Sequence, residues 1–174
     1  ISACLVGSEM CIRDRNCTGP SQTFTITVNP AGQVTQPTSV VYCHNNTTVA
    51  IPFATTNTGG TTTYAWTNDT TSIGLVASGS GPIPSFTATN PGSSPVVATI
   101  TVIPTFTNGL VSCPGASKTF TITVNPTAQV TQPTSVVYCH NNTTVAIPFT
   151  TTNTGGTTTY AWTNDTTSIG LAAS

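Results

Sequence analysis

The chain has 174 residues, of which only 4% are charged, and its formal net charge is −1. Soluble domains usually carry about 25% charged residues, so the abundant threonines, 41 in number, must keep this surface hydrophilic. The low charge excludes a basic surface for nucleic acid, and no apolar run approaches the roughly 20 residues that a membrane-spanning helix needs. Because threonine is β-branched and favours strands, we expect a strand-rich protein.

Residues 1–15 differ in composition from everything that follows. They hold four of the seven charged residues, namely Glu9, Arg13, Asp14 and Arg15. The run 4–15 resembles a translated sequencing adapter, so we predict that residues 1–15 are not native and exclude them from the fold. The alternative is the end of a signal peptide, but no apolar core precedes Cys4.

The rest of the chain repeats itself with a period of 96 residues. The octapeptide 23–30 recurs unchanged at 119–126, and 44 of the 48 residues at 31–78 are identical at 127–174. Repetition at a fixed period is typical of tandem modules. We predict the last strand of a preceding repeat at 16–30, a complete repeat at 31–126, and the first half of a following repeat at 127–174. We expect the chain to be a window on a longer array.

Within the complete repeat, apolar and polar residues alternate along several short runs, as in strands that bury one face. In chain order the runs lie at 49–53, 64–66, 96–102 and 120–124, and turn-forming Asn, Gly and Pro residues separate them. About seven such strands predict an all-β fold, an immunoglobulin-like antiparallel β-sandwich. The predicted core residues are Tyr64, Trp66, Phe86, Phe120 and Ile122, and outward threonines should form hydroxyl ladders.

The segment 127–174 lacks counterparts of the strands that complete the repeat. A piece of this size buries too little apolar surface to hold its fold alone. We therefore expect the half repeat either to fray or to borrow the strand at 16–30, which has the sequence of the missing last strand.

Cysteines recur twice in each period, as Cys17, Cys43, Cys113 and Cys139. Cys43 follows an apolar strand and Cys113 precedes the final strand, so we predict a disulfide between them. Closing a loop of about 70 residues would stabilise the fold by roughly 4 kcal/mol and implies an oxidising compartment outside the cytoplasm. The alternative is a metal site formed by Cys43 and His44, but adjacent strand residues point in opposite directions.

The complete repeat is poor in groups that perform catalysis. It holds one histidine, His44 (His140 is its equivalent in the next repeat), and one acidic residue, Asp69. This set supplies neither a catalytic triad nor a pair of carboxylates, and calcium sites usually recruit several carboxylates. We therefore predict no enzymatic activity, no cofactor and no metal.

An aromatic residue and two short Asp-Thr-Thr runs suggest contacts with carbohydrate. An exposed Trp66 could stack on a sugar, although its strand alternation points it into the core. Asp69-Thr70-Thr71 and Asp165-Thr166-Thr167 match a bacterial O-glycosylation signal and mark Thr70 and Thr166 as candidate sites.

A Thr-x-Thr run at 23–27 is similar to ice-binding arrays, but each repeat contains only one such strong run.

Four motifs in constant order carry a resemblance to a known family: 64–68 (YAWTN), 72–75 (SIGL), 86–90 (FTATN) and 119–126 (TFTITVNP). Together they resemble the PKD-like repeats of large secreted or surface proteins of Bacteroidetes. The resemblance implies tandem β-sandwich modules, export by type IX secretion and no catalytic residues. The residues around Trp66 depart from the Trp-Asp-Phe-Gly-Asp run of the better-known PKD domain.

The function expected from this sequence is that of a structural spacer in an extracellular or cell-surface protein, such as the stalk of an adhesin. Its partners would be the neighbouring repeats of the same chain, with surface glycans or proteins as further candidates. The alternatives are a carbohydrate- or protein-binding adhesion module and an accessory domain of a secreted hydrolase.

Overall fold

The computed structural model describes residues 21–172, so the predicted non-native segment 1–15 and Cys17 lie outside the described residues. The six strands are β1 (Val40–Cys43), β2 (Thr61–Asn68), β3 (Ser78–Ser80), β4 (Val96–Asn108), β5 (Val111–Pro114) and β6 (Lys118–Asn125). The helical content of this part of the chain is two short 3₁₀ turns, Thr71–Ile73 and Thr167–Ile169, and none of it could cross a bilayer. The prediction of an all-β chain is confirmed.

All six strands belong to one mixed sheet with the order β1-β6-β4-β2-β3. The long strand β4 pairs antiparallel with β2 on one side and with β5 and β6 on the other. β1 is parallel to β6, with Val40 opposite Ile122 and Cys43 opposite Asn125. The expectation of a purely antiparallel arrangement is therefore wrong at this edge. Residues 44–117 connect β1 to β6, and parallel strands require such a long connection.

β5 and β6 follow each other along the same side of β4, with one extra residue between them. Thr105 is opposite Pro114 and Val102 is opposite Lys118, so three residues, 115–117, face two, as in a β-bulge. At this bulge Gly115 touches the carbonyl of Gly32 so closely that a side chain would not fit. The bulge thereby holds the start of the central segment (31–126) at one end of the sheet.

Three stretches outside the strand ladder, at 31–35, 45–54 and 83–89, cover one face of the sheet. Thr35 N donates a 2.8 Å hydrogen bond to the carbonyl of Ala54. Isolated antiparallel bridges then join residue 47 to 87 and residue 51 to 83. The alternating run predicted as a strand at 49–53 is thus extended, but bridges rather than a continuous ladder hold it.

The hydrophobic core lies between the sheet and these stretches. Its buried members are Val34, Trp66, Ile73, Leu75, Ile83, Ala88, Ala98, Ile100, Val102, Phe120, Ile122 and Val124. Tyr64 and Phe86 are partly buried against the same cluster. Along β4 and β6 every second residue is buried, which is the period of a strand with one covered face.

Threonines dominate the opposite face of the sheet. The register aligns Thr67, Thr101 and Thr119 across three adjacent strands, and the hydroxyls of Thr107 and Ser112 lie 3.0 Å apart on β4 and β5. The hydroxyl groups therefore form rows across the strands, with a direct bond at this one pair.

The trailing segment (127–172) repeats the local geometry of the central segment without forming a strand. Asn45 and Asn141 share a positive φ, 64° and 65°. The side chains of Asn68 and Asn164 each donate a hydrogen bond to the carbonyl seven residues further on, at 2.9 and 2.8 Å. These turns are therefore encoded locally.

The apolar side chains of the trailing segment remain uncovered. Trp162 is 40% exposed, whereas its equivalent Trp66 is 3% exposed. In the leading segment (21–30), Phe24, Ile26 and Val28 are each more than three-quarters exposed and belong to no strand. The strand exchange considered from the sequence is not formed, since the leading and trailing segments do not pair.

Candidate functional site at the joint between segments

The two cysteines predicted to form a disulfide are free thiols at opposite ends of the sheet. Cys43 is opposite Asn125 at the end of β6, and Cys113 is opposite Phe106 near the far end of β4. The two ends are about ten residues apart along β4, or roughly 33 Å, whereas a disulfide needs Cα atoms within about 7 Å. The prediction is wrong because β1 is parallel to β6; an antiparallel β1 would have brought Cys43 towards the start of that strand.

Trp66 is enclosed by the core and does not present its ring to solvent. A side chain at Gly79, its cross-strand neighbour, would collide with the indole ring. The indole Nε1 is buried and has no hydrogen-bond partner. Trp66 therefore cannot stack on a sugar in this structure, and Tyr64 likewise packs on Phe53, with ring centroids 5.4 Å apart.

Asp69 closes the turn after β2 and holds that turn to β4. Its carboxylate accepts hydrogen bonds from Thr99 N at 2.7 Å and from the Thr70 hydroxyl at 2.8 Å. These bonds, that of Thr99 first, lower the pKa of Asp69 below its ordinary value because they favour the charged form. The Thr166 hydroxyl makes the same bond to Asp165 at 3.0 Å, so both candidate glycosylation sites hold an engaged hydroxyl. Across residues 21–172, no three potential metal ligands cluster.

The end of the sheet where β1 and β6 finish is tied together by Asn90. This buried side chain donates hydrogen bonds to the carbonyls of Val124, at 2.7 Å, and Ser94, at 2.9 Å. Asn90 N donates to Nδ1 of His44 at 2.9 Å, and His44 N donates to the carbonyl of Asn125 at 2.8 Å. The loops after β1 and before β4 thereby form one surface at this end, the exit end.

The trailing segment rests on the exit end. Thr154 N and the side-chain amide of Asn153 both donate to the carbonyl of Ser93, at 2.9 and 3.3 Å. Gly155 lies beside Pro95, so that a Cβ at this position would come within 3.0 Å of the proline ring. Gly155 also has a φ of 74°, which disfavours a side chain. These contacts define a joint between the central and trailing segments.

Asn153 is the hub of this joint. Its Oδ1 accepts hydrogen bonds from Gln129 N at 2.6 Å and from the Thr151 hydroxyl at 3.1 Å. Its Nδ2 donates to the carbonyl of Thr127 at 3.1 Å, in addition to the contact with the central segment. The equivalent residue Asn57 makes the same three internal bonds, to Gln33, Thr55 and Ala31. The central segment therefore carries a ready-made copy of the same turn at its opposite end, the entry end.

An open cleft of about 290 Å³ lies between the two segments at the joint. It is lined by His44, Asn45, Asn90, Pro91, Gly92, Thr127 and Gln129. His44 is the one titratable side chain in this lining, and its Nδ1 already accepts a hydrogen bond. Because residues of both the central and the trailing segment line it, the cleft is part of the joint.

Asn90 and Asn153 at the joint, and Asn57 in the equivalent turn at the entry end, were not singled out from the sequence. A usable signal was present, since Thr-x-Asn occurs at 55–57 and again at 151–153. Asparagine and threonine side chains that bond to nearby backbone are typical of ordered turns. Which neighbour such a turn contacts, however, depends on the fold.

Comparison with protein-family models, with curated proteins and with solved structures gives no match to this chain.

Proposed function

We propose that this chain is a non-enzymatic extracellular spacer whose 96-residue units stack end to end as a stalk. In this proposal 31–126 is one complete unit, 127–174 begins the next unit, and 16–30 ends the previous one. The observation that carries the proposal is the path of the chain. It enters the central segment at Gly32, which donates to the carbonyl of Cys113 at 3.1 Å, and it leaves through β6 at Asn125, at the other end of the sheet.

This path makes an array grow in length with each unit. The trailing segment begins directly after β6 and rests on the exit end through Ser93 and Pro95. Because the central segment has the equivalent turn at its own entry end, a preceding unit could dock there in the same way. Repeated joints of this kind would give a semi-rigid rod.

Each unit of the proposed stalk is an immunoglobulin-like β-sandwich. The core between the sheet and the stretches 31–35, 45–54 and 83–89 supports this assignment, because a sandwich places its core between two layers. In an array, the strands that follow 127–172 would cover Trp162 and its neighbours as β4 and β6 cover Trp66. The resemblance to PKD-like repeats supports an extracellular location and export by type IX secretion.

The adhesion-module alternative is less well supported. The aromatic side chains most suited to sugar binding, Tyr64 and Trp66, face the core, and the outward face of the sheet carries threonines. Binding through a face of hydroxyl and methyl groups would lack the stacking that aromatic rings provide.

Small-angle X-ray scattering of the full chain tests the spacer. We expect an elongated particle whose maximum dimension clearly exceeds the roughly 43 Å length of a 13-residue strand such as β4. A compact particle with the trailing segment folded against the side of the sheet would contradict the proposal. A glycan array probed with the same protein tests the alternative, and specific, saturable binding would favour it.

A further inference from the structure

We propose that β1 and β6 form a mechanical clamp that makes each unit resist a force applied along the chain. The inference rests on the proposed stalk function, because a stalk that holds a domain away from a surface is loaded through its two ends. It goes further by naming the strand pair that bears the load.

The first and last strands of the central segment are parallel neighbours. β1 pairs with β6 from Val40 opposite Ile122 to Cys43 opposite Asn125, and the bond from His44 N to Asn125 O extends the seam. Tension pulls β1 towards the entry end and β6 towards the exit end. The strands must therefore slide past each other, so that all the bonds between them carry the load together and must break together. Strands peeled apart from one end would lose their bonds singly.

Side chains lengthen this seam beyond the four paired residues. Ser39 Oγ accepts a hydrogen bond from Thr121 N at 3.0 Å. Further towards the entry end, the Gln36 side-chain amide donates to the carbonyl of Thr119 at 2.7 Å. Residues 36–44 are thus bonded along β6 from Thr119 to Asn125.

The seam is also the place where the sheet yields first. β6 is held on its other side by β4 over seven register pairs, and its inward side chains Phe120, Ile122 and Val124 are buried. β1 has four residues and is an edge strand with β6 as its one neighbour in the sheet. Under load, β1 therefore separates from β6 before β6 separates from the core.

The ladder itself provides a matched pair of substitutions. In a parallel strand, the N–H groups of alternate residues donate to the same neighbouring strand. Because the N–H of His44 donates to β6, the N–H groups of Tyr42 and Val40 do so as well. The N–H of Val41 points to the open edge of the sheet. Proline removes the N–H and is tolerated at such an edge. V40P therefore removes a bond of the seam, and V41P is its control in the same strand.

A milder pair protects the test against misfolding. Q36A removes the side-chain bond to Thr119 of β6 together with a bond to the carbonyl of Pro37, the next residue. Gln132 is its equivalent in the trailing segment and makes the bond to its own neighbour, Pro133, without a bond to β6. Q132A therefore removes the same side chain without touching the seam.

The experiment is single-molecule force spectroscopy of the full chain, held by its two termini. Unfolding of the 96-residue central segment is recognised by a gain of roughly 300 Å in contour length. We expect V40P to lower its unfolding force by half or more and V41P to leave most of it. At constant force, Q36A should unfold about fivefold faster, the effect of losing one ordinary hydrogen bond, and Q132A should match the parent chain.

Equal losses in V40P and V41P, or equal rates in Q36A and Q132A, would overturn the clamp. Should V40P fail to fold, the glutamine pair decides the question. The outcome is separable from that of the spacer proposal. A compact particle in scattering would refute the stalk and leave the unfolding force intact. If both variants of each pair lost the same mechanical resistance, the clamp would be refuted and the stalk would stand.

Discussion

At the scale of single residues, asparagine amides fix the loops that charged residues fix in other proteins. Asn68 shows the pattern, because its Oδ1 accepts from Thr70 N at 3.0 Å while its Nδ2 donates to the carbonyl of Leu75. An amide both donates and accepts, so a single side chain satisfies two backbone groups of opposite kind. Asn90 and Asn153 do the same at the joint. The chain thereby orders its turns with almost no charge.

Asp69 is the exception, and it makes the stability depend on pH. Its pKa is lowered in the folded state, chiefly by the hydrogen bond from Thr99 N. Such a carboxylate stabilises the fold above its unfolded pKa of about 3.9, and this contribution is lost as pH falls through the lower folded value. We expect the thermal midpoint of the parent chain to fall below about pH 4, measured by circular dichroism.

The matched variants D69N and D165N identify the group responsible. D69N should flatten this acid-side dependence, because an amide does not titrate there. D165N should leave it unchanged, since Asp165 supports no strand. If the thermal midpoint of D69N fell below about pH 4 as steeply as that of the parent chain, the assignment to Asp69 would be contradicted.

Gly79 is required by the size of its neighbour Trp66. A Cβ at residue 79 would overlap the indole ring, and a core with no free space forces side chains or backbone to shift. We expect G79A to lower the free energy of unfolding by about 1–3 kcal/mol. The control S80A, at an exposed position of the same strand, should change it by less than about 0.5 kcal/mol. Equal values for the two variants in urea titrations would contradict this reading.

At the scale of elements, the direction of β1 decides what the cysteines can do. Apolar and β-branched residues favour parallel and antiparallel strands alike, so the sequence at 40–42 predicts a strand but not its direction. A parallel β1 places Cys43 and Cys113 at opposite ends of the sheet. Both cysteines therefore remain separate thiols within the unit.

A simple redox experiment follows from this separation. We expect the thermal midpoint of the chain to be the same with and without a reducing agent, because no bond within the central segment is broken. Thiol labelling under denaturing conditions, read by mass spectrometry, should modify both Cys43 and Cys113. A sharp drop of the midpoint on reduction, together with a linked Cys43–Cys113 peptide, would show that the strand direction is wrong.

The sequence predicts the strands whose inward side chains form the core. It does not predict the features that depend on which strand or loop lies next to a given residue. The alternation at 96–102 and 120–124 predicts β4 and β6 with the right inward faces, because it records burial directly. It does not reveal that 45–54 forms bridges, that β1 is parallel, or that Asn153 meets Ser93. The trailing segment makes the distinction plain. Its turns match those of the central segment, yet its strands are absent because a strand needs a partner.

At the scale of the whole molecule, the arrangement of two ends explains why near-identical repeats can be useful. The exit end presents Ser93 and Pro95, and the turn at Asn153–Gly155 meets them. The same turn occurs at residues 57–59, where a side chain on Gly59 would meet nothing within 4 Å. In the stalk we propose, each unit would offer one surface to the unit before it and the complementary surface to the unit after it.

Asn153 and Asn57 make the same internal bonds, so that substituting each in turn separates the effect of losing the joint contact from the effect of losing the turn. N153A removes the side-chain bonds that join Asn153 to Thr127, at the start of the trailing segment, and to Ser93 of the central segment. N57A removes the same internal bonds from the turn at the entry end, away from the joint. We expect N153A to widen the range of angles between the segments, which broadens the distribution of distances between labels on Cys43 and Cys139, and N57A to leave that distribution unchanged. Equal broadening of the distance distribution by the two variants would contradict a role of Asn153 at the joint.

The most direct measurement of end-to-end stacking is the distance between Cys43 and Cys139. Both are exposed thiols at equivalent positions, so spin labels on them, with the other cysteines replaced by serine, report the shift from one unit to the next by pulsed electron paramagnetic resonance. The account predicts a single narrow distribution centred at roughly 40 Å, about the length of a 13-residue strand, that broadens in N153A. A broad distribution in the parent chain, or a short distance showing the trailing segment folded back along the sheet, would contradict it.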